Sequence, residues 1–326
     1  MFHVWASMES PSNSVNMILV QLHISGPEDT QLDRQLPWQQ NQHLANTDSR
    51  NRRQEATGVA YNTILLDKAD HIARLTLNRP ERLNALNEEM FAELNHALED
   101  VASDTEMRVF IITGAGRAFC ASADIKDESR GGDQLLGHKD PYETFRFIRE
   151  MPQGVTSKLH NLEIPTIAMV NGLAIGDGFD WVLGCDIRVG CENSRFMNAF
   201  LQMGLVSNTG STWLYNRAMG ISKALELLYT GDWLEAEEAK QGGVLAHLVT
   251  ADQLEETTME LARKIAGKAP IPNRMVKGMM YRGLAQTLDD HLAEAAQVEV
   301  LTLTSKDHKE SLASFRDKRA PVYKGE

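Results

Sequence analysis

Cysteine is scarce in this chain: there are three in 326 residues, Cys120, Cys185 and Cys191, and no CxxC pair. So few thiols exclude a disulfide framework and point to reduced cysteines in a cytosol-like, cytoplasmic compartment. Long apolar runs are also missing. None approaches the ~20 residues that span a bilayer, so no membrane partner is expected. Positive charge is in deficit, with 33 Lys and Arg against 45 Asp and Glu and a formal net charge of −12. Nucleic acid, whose recognition needs a basic footprint, is therefore not an expected partner. No HExxH, P-loop or GxSxG occurs, and His160, His247 and His291 lack metal-ligand spacing, so no metal is expected.

What is present is the balance of a globular protein, 42% apolar and 24% charged. Residues 31–58 are rich in Gln, Asn and Arg, too polar to offset their ordering entropy. The apolar stretch 17–24 lacks the basic flank and small-residue cleavage site of a signal peptide. Residues 1–57 are thus expected to be a poorly ordered extension.

From Asn62 onward strand and helix signals alternate. Residues 63–66 and 72–77 read as strands around a Lys68–Asp70 turn. Asn87 reads as the N-cap of a helix with Met90, Phe91, Leu94 and Leu98 on one face. The run 109–113 is a strand, and Phe145, Ile148, Met151, Val155 and Leu159 mark one amphipathic helix. Pro165 opens a buried strand over 166–170. The turn 172–178 leads into a helix around Trp181, and 187–189 is again a strand. Such alternation implies parallel strands with crossover helices. From Ser222 the pattern turns helical, over 223–229, 236–241, 251–267, 273–284 and 288–303.

Four segments, in order, carry a resemblance. Asn78–Leu86 (NRPERLNAL) is similar to an NRPxxxNAL segment, and Gly114–Lys126 (GAGRAFCASADIK) to GxGxxFCAGADxK. Pro165–Asp186 is similar to KPxIAAVxGxxxGGGxxLxxxCD, and Ser305–Lys324 to a C-terminal DxxEGxxAFxEKRxPxFxG signature. Together they identify the chain as a member of the crotonase (enoyl-CoA hydratase/isomerase) superfamily over about 62–324. The resemblance implies an α/β fold, a superhelix of ββα repeats, with a core at 58–250 and a C-terminal helical trimerisation region at 251–326. It also implies an acyl-CoA substrate, no tightly bound cofactor beyond the coenzyme A of that substrate, and a homotrimer or dimer of trimers.

The chemistry of such a site is enolate stabilisation. Negative charge gathers on a thioester oxygen, and two backbone N–H groups aimed at it are worth about 2.7–4 kcal/mol each in other systems. By resemblance these are the amides of Ala123 and Asp177. The family usually has Gly where this chain has Ser122 and Asp177. A Cβ adds strain if either position needs positive φ, and an acidic side chain at 177 opposes an oxyanion unless it points away. By the same resemblance, Arg82 meets the coenzyme A phosphates. Ala121, Asp124, Ile125 and Lys126 form the edge that receives the adenine, and Phe315 and Lys318 reach the nucleotide from the C-terminal region.

The proton-transfer positions depart further. Hydratases of the family use two glutamates, whose positions here are Asp180 and Phe200, and a phenyl ring transfers no proton. The stretch 196–213 most resembles the phenylacetate-pathway isomerase branch, whose catalytic Asp falls at Asn208. An amide there leaves two uses open, a hydrogen bond to substrate or an Asp→Asn change that removes the acid. Asp180 remains, in a segment similar to dienoyl-CoA isomerases. Glu128, Asp133, Asp140 and Glu143 are weaker candidates, and Asp186 reads as structural. Phe179, Trp181, Phe200 and Trp213 fit an aromatic pocket or plain core packing. The expected activity is that of an enoyl-CoA isomerase or hydratase-like enzyme. A CoA-thioester hydrolase or C–C lyase acting on a ring substrate, and a non-catalytic CoA-binding scaffold, stay open beside it.

Overall fold

The computed structural model describes residues 60–125 and 140–326. The expected extension at 1–57, Lys126, Glu128 and Asp133 lie outside the described residues.

Two strands open the fold, β1 (Ile64–Ala69) and β2 (Ile72–Leu77), paired antiparallel. Their turn is tighter than expected: Lys68 and Ala69 stay in the ladder, and Asp70 and His71 make the reversal at φ 51° and 64°. Two consecutive positive φ values match the twist of the flanking strands. Helix α1 (Glu88–Ser103) follows, and Asn87 caps it by accepting from the Met90 N–H at 3.0 Å.

The architecture then repeats. β3 (Val109–Gly114) runs into β4 (Ala118–Cys120), followed by α2 (Pro141–Glu150) and α3 (Pro152–Asn161). β5 (Thr166–Val170) runs into β6 (Leu173–Ile175) and then α4 (Asp177–Gly184). β7 (Ile187–Cys191) runs into β8 (Arg195–Met197) and then α5 (Ser211–Met219). With β9 (Leu234–Glu235) and β10 (His247–Val249) added later in the chain, the first strand of each of these units joins one sheet, ordered β1-β2-β3-β5-β7-β10, and the second joins another, ordered β4-β6-β8-β9. Pairing between successive repeats is parallel, so the chain advances one ββα unit at a time.

The remaining elements are α6 (Ile221–Thr230), β9 (Leu234–Glu235), α7 (Ala236–Gln241), β10 (His247–Val249), α8 (Leu254–Ala266), α9 (Pro270–Gly283), α10 (Leu288–Thr304) and α11 (Lys306–Asp317). Helix α8 covers the outer face of the larger sheet. Leu254, Ala262 and Ala266 join Val109, Ile111, Ile167 and Val189 there, while Phe110 and Ile112 point into the main core with Trp181, Phe196 and Tyr215. Alternate residues of β3 thus serve two apolar layers, which is why the strand reads as a continuous apolar run.

The helix expected across 145–159 is two. Met151 leaves helical geometry (φ −93°, ψ −82°) ahead of Pro152, whose ring disfavours helix at the preceding residue. The three-residue strands β4, β6 and β8 carry too little periodicity to stand out.

Candidate active site

The N-terminal end of α4 meets the end of β4. Gly176, at φ 51°, turns the chain so that Asp177 begins the helix, and Asp180 N–H closes the first turn onto Gly176 C=O at 3.0 Å. Opposite it, Ser122 sits at φ 66°. The strain anticipated for a Cβ therefore falls on Ser122, while Asp177 has ordinary helical geometry. Ser122 donates to Asp177 Oδ2 at 3.1 Å and accepts from the Asp177 N–H at 3.4 Å. A Cβ on Gly176 would lie 2.5 Å from Ser122 Oγ, so the two turns are in contact.

Ala123 follows Ser122 and forms a parallel bridge with Leu86. The bridge uses Ser122 C=O and Asp124 N–H, at 2.8 and 2.9 Å. In this register the Ala123 N–H faces away from Leu86. The geometry thus brings two backbone donors, Ala123 and Asp177, to neighbouring turns. Asn84 holds the first turn in place: its buried amide donates to Ala115 C=O at 2.9 Å and Ala118 C=O at 2.8 Å. Phe200 borders the second, its Cε2 3.5 Å from where a Gly176 Cβ would stand.

Asp180 has no exposed surface, and its carboxylate is enclosed by hydroxyls. Ser211 donates to Oδ1 at 2.6 Å, Thr209 to Oδ2 at 2.6 Å and Ser207 to Oδ2 at 2.9 Å. Burial raises its pKa to about 6, against the lowering effect of these donors and with a further upward push from Asp177. Asp177 is also buried; burial raises its pKa, while Thr209 (2.8 Å to Oδ1) and Ser122 work the other way. Sequence reasoning missed this ring of hydroxyls. Its only linear trace is the Ser/Thr density of 207–212 (SNTGST), which reads as an ordinary loop.

Asn208 lies one residue from Thr209, with its Oδ1 buried and unpartnered and its C=O accepting from Gln153 at 2.9 Å. It lines a cavity of about 530 Å³ together with Gln153, Thr156, His160, Thr209 and Trp213. His160 Nδ1 is also buried without a partner, and burial holds that imidazole below its usual pKa. The aromatic residues divide. Phe179 packs on Phe196 and Tyr215, and Trp181 on Phe91, so both belong to the core. Trp213 is half exposed against His160 and Arg217.

The residues expected to meet coenzyme A are spread more widely. Arg82 is exposed, and Ile125 is largely exposed. Ala121 is tied by its N–H to Leu83 C=O at 3.1 Å. Asp124 is buried and paired with Arg79 at 2.9 Å, which engages its carboxylate inside the protein. Phe315 stands 85% exposed on α11, and Lys318 caps that helix at φ 55°. Asp186 is structural: it accepts from Thr166 N–H at 2.8 Å and Tyr281 at 2.9 Å and pairs with Lys277 at 2.9 Å. Asp140 caps α2, and Glu143 is exposed on that helix's first turn.

Residues 67–326 match the sequence profile of the enoyl-CoA hydratase/isomerase family. The chain belongs to that family. It is 34% identical over 257 residues to the 1,2-epoxyphenylacetyl-CoA isomerase of Escherichia coli K12, covering 78% of this chain and 95% of the relative. It is 31% identical over 259 residues to the short-chain-enoyl-CoA hydratase of Clostridium acetobutylicum, covering 79% and 96%. The crystal structure of enoyl-CoA hydratase from Bacillus anthracis superposes with a TM-score of 0.75 at 32% identity, covering 81% of this chain and all of that one. The crotonase fold expected from the four segments is the fold observed. An acyl-CoA substrate fits the family, and relatives of similar identity carry both isomerase and hydratase names.

Proposed function

We propose that this protein binds an acyl-CoA thioester, stabilises its enolate with the Ala123 and Asp177 amides, and moves a proton with Asp180, as an enoyl-CoA isomerase. The observation that carries the reading is a buried Asp180 with a pKa near 6, beside the Ala123 amide and an Asp177 amide held only by a long 3.4 Å bond to Ser122 Oγ. A base with that pKa is ionised at neutral pH yet readily takes up a proton. Phe200 and Asn208 supply no acid or base, which favours moving one proton between two carbons over the two-carboxylate addition of water. Asp180 reaches substrate through or past its hydroxyl partners, of which Ser207 is the partly exposed one. Arg82, Ala121, Ile125, Lys126, Phe315 and Lys318 remain the proposed coenzyme A contacts. Asp124 contributes its backbone there, its carboxylate being engaged by Arg79.

The test uses crotonyl-CoA and a β,γ-unsaturated hexenoyl-CoA as probes, with exchange of the α-protons of butyryl-CoA in D2O as a partial reaction. Asp180→Asn is expected to lower isomerisation and exchange at least 100-fold while CoA affinity changes less than about threefold. Exchange and turnover that survive the substitution would remove Asp180 from the mechanism. A non-catalytic acyl-CoA scaffold is the second reading, and the complete enclosure of Asp180 is what favours it. Wild-type protein that binds CoA and exchanges no α-proton would establish it.

A further inference from the structure

Two buried carboxylates, Asp177 and Asp180, share one hydroxyl. Thr209 Oγ1 lies 2.8 Å from Asp177 Oδ1 and 2.6 Å from Asp180 Oδ2. A threonine hydroxyl owns a single proton, so it donates to one of these oxygens and must accept at the other. Two ionised carboxylates cannot both satisfy it, because one of the contacts would then set lone pair against lone pair. Their surroundings add protons but no positive charge. Ser207 and Thr209 face Asp180 from the loop ahead of α5, and Ser211 and Tyr215 face it from α5 itself. Ser122 and the Cys120 thiol face Asp177 from β4 and the turn after it. No Lys, Arg or His among the described residues pairs with either carboxylate. Like charges this close and this dry do not both ionise.

We infer that Asp177 and Asp180 hold one proton between them through Thr209, with Asp177 the protonated partner at rest and Thr209 the positioning residue that lets the proton cross. The chain of donors runs Asp177 Oδ1–H to Thr209 Oγ1, and Thr209 Oγ1–H to Asp180 Oδ2. Ser122 donates to the Asp177 Oδ2 that remains a carbonyl. The lengths agree: both 2.6 Å contacts end on Asp180, as for a hydroxyl bound to an anion, whereas Asp177 has contacts of 2.8 and 3.1 Å. With the Thr209 proton on Asp180, that carboxylate receives three side-chain donors to Asp177's one, and so better supports the charge. A neutral Asp177 removes the acid's objection to an oxyanion at its own N–H. During turnover the step balances without a further reagent. Asp180 gains a proton from the substrate carbon, which leaves both acids neutral. Once Asp177 has released its own proton toward the substrate side, Asp180 gives a proton to Thr209 Oγ1 while Thr209 gives its own to the Asp177 carboxylate, which returns the negative charge to Asp180.

This inference rests on the proposed role of Asp180, but its primary measurement does not need turnover. Wild-type protein at pH 7 is expected to show the infrared carbonyl stretch of a protonated carboxyl, absent in Asp177→Asn. The band should move in Thr209→Val, which loses its bonding partner, and hold in Thr209→Ser, which keeps it. No such band, or one that Asp177→Asn leaves unchanged, overturns the shared proton. If Asp177→Asn does not fold, the contrast between Thr209→Val and Thr209→Ser decides, and identical bands in those two overturn it. In the pH profile of kcat/KM, Thr209→Val should move the acid limb upward and lower activity at pH 6 at least tenfold, with Thr209→Ser restoring it; an unmoved limb overturns the positioning role. Loss of exchange in Asp180→Asn with no Asp177-dependent band rejects the shared proton alone. Exchange that survives Asp180→Asn while the band depends on Asp177 rejects the catalytic assignment alone.

Discussion

At the residue scale, the turn formed by Gly176 and Ser122 sets the terms. Any side chain at Gly176 faces both a positive φ and a contact 2.5 Å from Ser122 Oγ. Gly176→Ala is expected to cost about 1–3 kcal/mol of stability, measured by urea denaturation. It should lower kcat more than it raises KM, because the Asp177 amide rides on that turn. Asp180 has its own signature. Its pKa rises from 3.8 in the unfolded chain to about 6 in the folded protein, so between those values the folded state binds more protons than the unfolded one. Stability from this group is therefore greatest below pH 4 and falls as pH rises through 6. Wild type should lose about 2–3 kcal/mol relative to Asp180→Asn across that window, read from paired denaturation curves at pH 4 and pH 7. A difference independent of pH would show that Asp180 is not held as described. The positions of Asp177, Asp180 and Ala123 in this candidate site came from the segments that carry the family resemblance, and the structure brings them together. The hydroxyls were not legible in sequence. Ser122 is 55 positions from Asp177 and Thr209 is 32, and a serine in a loop looks the same whether it faces water or a buried carboxylate.

At the scale of elements, Asp186, in the turn between α4 and β7, ties two of them together. It links the start of β5, through Thr166, to Lys277 and Tyr281 on α9. Lys277 is nearly buried, with 8% of its side chain exposed. Removing its partner leaves an uncompensated charge in a poorly solvated place. Asp186→Ala should cost about 2–4 kcal/mol, whereas the exposed Arg146–Glu150 pair on α2 should cost under about 1 kcal/mol when broken. Thermal denaturation of the two variants compares them directly. Long elements declared themselves in sequence, α1 by its cap and apolar stripe and β3 by its apolar run. The division at Pro152 was hidden because apolar spacing continues across it from Phe145 to Leu159. Helices α5 and α11 also escaped notice, the first because Gly and Ser precede it and the second because most of its positions are polar.

For the whole molecule, the C-terminal helices carry the unfinished surface. Val276, Met280, Leu288, Leu292 and Leu301 on α9 and α10, and Leu284 just after α9, are all more than half exposed. Apolar rows of this extent on a folded chain suit burial against another surface. Paired with the proposed trimer, they lead to an expected mass of three or six chains by light scattering. Leu288→Glu together with Leu292→Glu should shift the protein toward monomer without unfolding the ββα core. A wild-type monomer at micromolar concentration would contradict the assembly.

The long bond from Asp177 N–H to Ser122 Oγ, at 3.4 Å, has a consequence for selectivity. The donor is never idle, because a hydroxyl of the protein itself already occupies it weakly. In the proposed oxyanion role of this amide, an arriving carbonyl oxygen must displace that hydroxyl, and a neutral thioester gains little by doing so. As the α-carbon loses its proton the oxygen becomes far more basic, and the exchange turns favourable. The serine thus acts as a competitor that resting substrate scarcely beats and a nascent enolate readily does, so the amide engages most strongly at the moment of reaction.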